Sequence, residues 1–165
     1  MKQQEQVLQL TIEPVHKGNW ETALDLEVHP SQREWVPTVA ESLASAYIRP
    51  DDEQIDPYAV YINGVMVGFF YYSYTPGSRD NYWICGFFID KLYQRQGYGT
   101  KVFAACIDEL RAQFPECGVI HLTVHEDNKV AQRFYRKRGF LDTGIVREEA
   151  REIVFRLTLW RELSV

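Results

Sequence analysis

The stretch Gln94-Arg95-Gln96-Gly97-Tyr98-Gly99-Thr100 decides how this chain is read. It lies between an apolar run over 82–90 and a segment that carries Phe103, Ile107, Leu110 and Phe114 at helical spacing. A strand that turns through glycines into a helix leaves the first helical N–H groups unpaired, with a partial positive charge behind them. Glycine lets such backbone come close to a ligand and take unusual angles. Together these features make a cradle for a pyrophosphate. Thr100 adds a hydroxyl, and Arg95 and Lys101 add charge; a plain strand-to-helix turn would use the same two glycines. The third glycine and following acid of a dinucleotide fingerprint are missing, and so is the Gly-Lys-Ser/Thr of a nucleotide P-loop.

Working outward, alternation of Leu8, Leu10 and Ile12 predicts a strand over 8–15, followed by a helix over 19–26. Ser31, with Glu34 three residues on, predicts a second helix that carries Trp35, Val36, Val39, Leu43 and Tyr47 and stops before Pro50. The acidic stretch 50–57 reads as a loop. Strands over 58–62 and 65–74 flank Asn63-Gly64, a tight-turn dipeptide. After the strand over 82–90 and the helix opened by Gly97 come a strand over 119–124, a helix over 129–138 capped by Gly139, and strands over 140–146 and 152–161. The fold class is a mixed α/β (α+β) domain with a largely antiparallel sheet, in which the strand–helix–strand unit over 82–124 supplies one parallel pair.

A chain of 165 residues suits one domain, spanning 1–165. No apolar run reaches the length of a membrane span, and the polar start Met1-Lys2-Gln3-Gln4-Glu5-Gln6 lacks the apolar segment of a secretion signal. The three cysteines, Cys85, Cys106 and Cys117, are odd in number and irregular in spacing, which suggests free thiols in a cytoplasmic protein rather than a disulfide framework or a metal site. A net charge of -5 argues against nucleic acid as a partner and suits a cationic small molecule.

A second motif follows, Asn128-x-x-Ala131-x-x-x-Tyr135-x-x-x-Gly139-Phe140. With Gln94-x-x-Gly97-x-Gly99 ahead of it, the chain resembles the GNAT acetyltransferases over most of its length. The resemblance implies a central sheet flanked by helices, with acetyl-CoA lodged in the splay between two parallel strands. The cofactor would be held by the turn residues Gln94, Arg95, Gln96, Gly97, Tyr98, Gly99, Thr100 and Lys101, and by the strand Phe87-Phe88-Ile89. Asn128, Ala131 and Phe134 would complete its binding site. Tyr135 would be the general acid. Read on its own, Asn128 is a helix cap and Tyr135 shares an apolar stripe, as a core tyrosine would. The cations Arg136, Lys137 and Arg138 suit a helix C-terminus, and one of them could also meet a phosphate. Homodimers, often paired through the last strand, are common in the family.

The acceptor amine must be neutral to attack, and the departing thiolate is helped by a proton. Many family members place a carboxylate on the strand before Phe87; this chain has Cys85-Gly86 there. The base is therefore His125, Glu126, a water relay or bulk water. The segment from His29 to Tyr47 resembles that of bacterial spermine/spermidine acetyltransferases, in which a helix pair walls the acceptor site. Glu34 and Glu41 would then face a polyamine, or else simply face water. A different amine acceptor, or an acetyl-CoA sensor without catalysis, stands as the alternative.

Overall fold

The computed structural model of the chain describes residues 7–159. The polar first six residues, and the last strand's expected end at Trp160 and Arg161, lie outside the described residues.

The chain runs through β1 (Leu10–Pro14), α1 (Trp20–Leu24), α2 (Val39–Ile48), β2 (Gln54–Ile62), β3 (Val65–Tyr74), β4 (Tyr82–Ile89), α3 (Tyr98–Gln113), β5 (Val119–His125), α4 (Lys129–Arg136), β6 (Leu141–Arg147) and β7 (Glu152–Thr158). Among the described residues seven strands form one sheet in the order β1-β2-β3-β4-β5-β7-β6. Every neighbouring pair is antiparallel except β4 and β5, which α3 connects as a crossover. The mixed, mostly antiparallel architecture expected from the sequence is therefore the one observed.

A buried apolar layer lies on each face of the sheet. Val60, Phe70, Tyr72, Tyr82, Ile120 and Phe155 pack against Phe103, Cys106 and Leu110 of α3, and the Tyr72 hydroxyl donates to the Cys106 carbonyl at 2.6 Å. On the opposite face Ala59, Phe69 and Phe88 meet Ala23 of α1 and Val39 of α2. These two layers carry most of the apolar burial, and burial of that kind supplies the main stabilising term of such a domain.

Three local expectations are corrected. The helix predicted from Ser31 begins only at Val39. Residues Pro30–Gln32 form a single 3-10 turn, and Thr38 caps α2 in a reciprocal box with Glu41. Pro37 explains the delay: it disfavours helical angles at Val36 and has no N–H to give. The box Ser31–Glu34 thus loses to Thr38–Glu41. The supposed loop over 50–57 is half strand, because β2 starts at Gln54. Pro57 is tolerated inside it: its carbonyl accepts from the Val15 N–H at 2.9 Å, so its missing N–H faces the point where the β1 ladder ends. Finally, α1 is shorter than expected, ending at Leu24.

Candidate active site

The site begins where β4 and β5 part. Their ladder holds only Tyr82 to Ile120 and Trp83 to His121, yet the strands run on to Ile89 and His125. A bulge in β4 accompanies the parting. Phe69 pairs with Phe88 and Tyr71 with Cys85, so Gly86 and Phe87 together oppose Phe70. Gly86 sits at φ +60, and a Cβ there would lie 2.9 Å from Tyr71 Cε1. Glycine is required on both counts. The bulge as built thus leaves no room for a carboxylate at Gly86.

Past the bulge, the Asp90 N–H pairs with Val67 on β3, and the Ile89 carbonyl turns to the open side, where Gln94 Nε2 binds it at 2.8 Å. By strand alternation the N–H groups of Phe87 and Ile89 face the splay, free of any partner strand.

The turn that follows is built from within. Buried Asp90 accepts from the N–H groups of Leu92 and Glu27, each at 2.9 Å, and ties β4 to the chain after α1. Gln94 also reaches Gln32 Oε1 at 3.0 Å. Arg95 and Gly97 both take positive φ, 61 and 79. Gly97 is the N-cap of α3, and no side chain caps the helix. Nothing lies within 4 Å of a Cβ built on Gly97, so this glycine serves its angle, and open space stands before the uncapped amides. That combination fits an anionic group. Beside it, Arg138 donates to Thr100 Oγ1 and stacks 3.5 Å from the Phe134 ring centroid. Its Nε is buried without a partner. A cation pinned at an open helix N-terminus strengthens the fit to a phosphate.

From the other side comes α4. Asn128 caps it by accepting from the Ala131 N–H at 3.1 Å. Buried Gln132 donates to the carbonyls of His125 and Glu126, at 3.2 and 2.9 Å, and holds the β5–α4 turn in place. Tyr135 packs edge-on against Phe103 and Phe134, each at 5.2 Å between centroids. Its hydroxyl makes no hydrogen bond among the described residues, and burial pushes its phenol well above the usual range.

These elements enclose a cleft of about 1260 Å³. Of the residues singled out in the sequence, Phe87, Phe88, Ile89, Gln94, Arg95, Gly97, Gly99, Thr100, Asn128, Ala131, Phe134 and Tyr135 line it. Val28, His29, Trp35 and Val36 form the opposite wall. Seven residues lie elsewhere. Gln96 reaches back to the Leu92 carbonyl, Tyr98 packs on the core, and Lys101 is exposed. Glu34 faces solvent, and Glu41 spends its carboxylate on the Thr38 N–H at 2.7 Å and hydroxyl at 3.1 Å. Glu126 pairs with Arg151. His125 stacks on Trp35 at 6.3 Å, and its Nδ1 accepts from the Asp127 N–H. Sequence reasoning missed Gln132 and Asp90, whose buried hydrogen bonds shape both halves of the cleft. For Asp90 the only signal was a carboxylate at the end of an apolar run; Gln132, beside Arg133, gave none.

A splayed parallel pair, an uncapped helix start with a cation beside it and a protonated phenol in the cleft wall are the features that the two sequence motifs led us to expect. The chain belongs to the acetyltransferase (GNAT) family, whose model matches residues 15–140. It is an acetyl-CoA-dependent N-acetyltransferase. A probable spermine N(1)-acetyltransferase from Bacillus subtilis subsp. natto (strain BEST195) is 32% identical over 142 residues, covering 83% of this chain and 91% of that one. The spermine/spermidine N(1)-acetyltransferase of Bacillus subtilis (strain 168) matches to the same extent. Among solved structures, spermidine N-acetyltransferase from Vibrio cholerae, in complex with CoA and spermine, superposes with a TM-score of 0.69 at 17% identity, covering 90% of this chain and 93% of that one. No helix among the described residues is long and apolar enough to cross a membrane.

Proposed function

We propose that this enzyme acetylates a linear polyamine of the spermine/spermidine class, by direct transfer with both substrates bound. The acceptor class is supported by the two Bacillus relatives, whose names carry it and which share 32% of their aligned residues with this chain. The observation that carries the mechanism is Tyr135, a phenol in the cleft wall, held protonated by burial and free of partners.

Acetyl-CoA supplies the acetyl group as a thioester. The amides at the start of α3, with Arg138, hold its phosphates, and the Phe87 and Ile89 N–H groups orient the pantetheine arm and polarise the carbonyl. Asn128 keeps its side-chain N–H for the same arm, since its oxygen is committed to the cap. Tyr135 gives its proton to the departing sulfur. The deprotonating step uses water. His125 has its Nδ1 taken by the Asp127 N–H, and its ring stacks on Trp35 outside the cleft lining. Glu126 is already neutralised by Arg151.

The test is release of CoA thiol from acetyl-CoA across a panel of spermine, spermidine, diamines, amino acids and aminoglycosides. Preferred turnover of spermine or spermidine is expected. Preferred turnover of an amino acid or an aminoglycoside refutes the polyamine assignment.

A further inference from the structure

On the α1/α2 side of the sheet the helices pack chiefly over β2 and β3, and the half nearer β5 stays half-exposed. By strand alternation the row that continues from Cys85 on this face is Trp83 and then Asn81, with His121 of β5 opposite Trp83. These side chains form a chain of contacts outside the cleft. The Trp83 indole N–H donates to Asn81 Oδ1 at 2.8 Å, and Asn81 Nδ2 donates to Glu53 Oε1 at 2.7 Å. The ring of His121 stacks on Trp83 at 4.8 Å.

Two polar atoms of this cluster are buried without a partner, Glu53 Oε2 and His121 Nδ1. Both are acceptors or can become so, and leaving a buried carboxylate oxygen without a donor is costly. What is missing is a donor, and for the Glu53 carboxylate a positively charged one binds most strongly. The face already carries cations: Arg156 stands across from His121, and the Arg147 guanidinium carbon lies 4.9 Å from the Trp83 ring centroid. Arg147 is exposed and makes no ion pair among the described residues, so it can be displaced.

We propose that Glu53, held by Asn81 beside the Trp83 ring, binds a second ammonium of the acceptor, and that Arg147 covers that ring until the acceptor arrives. Trp83 stands four residues before Phe87 at the transfer point, and a strand rise of about 3.3 Å per residue sets the two positions about 10–13 Å apart, allowing for the bulge. The subsite therefore selects an extended amine with a cation at that separation and disfavours acceptors that place a carboxylate there. The inference rests on the polyamine reading and adds to it the residues that would recognise the far end.

The test compares spermidine with butylamine, which has no second ammonium, in the wild type, Glu53→Gln and Arg147→Ala. Glu53→Gln is expected to raise the spermidine KM about tenfold, the worth of one charge-assisted hydrogen bond, and the butylamine KM less than about twofold. Arg147→Ala is expected to lower the spermidine KM about threefold by clearing the ring. A folding defect would shift both amines and could not lower a KM. Spermidine turnover with a KM that Glu53→Gln leaves unchanged overturns the proposal and leaves the polyamine reading standing. If the wild type turns over no polyamine, calorimetric titration of spermidine decides. Weaker binding to Glu53→Gln than to the wild type keeps the ammonium site although the polyamine reading fails. Equal binding, or none, overturns the site as well.

Discussion

Gly86→Ala tests the link between the bulge in β4 and the cleft. The substitution places a Cβ 2.9 Å from Tyr71 Cε1 and 3.2 Å from Cδ1, on a residue held at φ +60. The left-handed angle alone costs an L-residue about 1–2 kcal/mol. Tyr71 is a half-buried ring packed on the α1/α2 layer, so it yields only by disturbing that layer, and overpacking of this kind adds about 1–3 kcal/mol. The sum is a loss of about 2–5 kcal/mol, or about 4–20 °C in Tm for a chain of this size. Thermal unfolding followed by circular dichroism measures it. Because the same bulge turns Phe87 to the splay, the affinity for acetyl-CoA, measured by calorimetry at 25 °C, is expected to fall as well. An alanine variant with unchanged Tm and unchanged acetyl-CoA affinity would refute both the strain at Gly86 and its role in shaping the site.

Tyr135→Phe is expected to bind CoA normally and to lose at least about tenfold in kcat, at the low end of what a positioned acid contributes; unchanged turnover removes Tyr135 from the mechanism. Arg138→Ala removes the cation at the α3 N-terminus and should raise the KM for acetyl-CoA about tenfold, an effect that shrinks with added salt if the contact is to a phosphate. The thiols should be inert. Burial pushes Cys85 up to about 12 and Cys117 up to about 11, and Cys106 is raised well above its usual value, so at pH 8 all three stay protonated. Reaction with a disulfide reagent is expected only after denaturation, and rapid labelling of the native enzyme would contradict the packing described around them.

Much of the site could be read from the sequence because its chemistry is local. Gly97 shows its role by residue type, since a left-handed N-cap asks for glycine, and Asn128 caps the helix that it immediately precedes. The apolar spacing of Phe103, Ile107 and Leu110 identifies the face of α3 that meets the sheet. Helix starts were legible only where one signal stood alone. Around Pro37 two capping boxes competed, and the proline's effect on its neighbour settled the outcome in favour of Thr38.

Partners distant in the chain were not legible. Glu126 looked like a candidate base until the fold brought Arg151 against it, and Glu41 looked like an acceptor contact until its carboxylate turned to Thr38. Arg138 sits among three cations in sequence, and only the approach of α4 to α3 picks it out, by placing Thr100 and the Phe134 ring at its guanidinium. The sequence by itself determined most of the elements, their order and the glycine turn before α3, because these depend on backbone angles and on neighbours a few residues away. The tertiary structure decided which charges are free to act, because a charge is silenced or exposed by whatever the fold places within about one hydrogen-bond length of it.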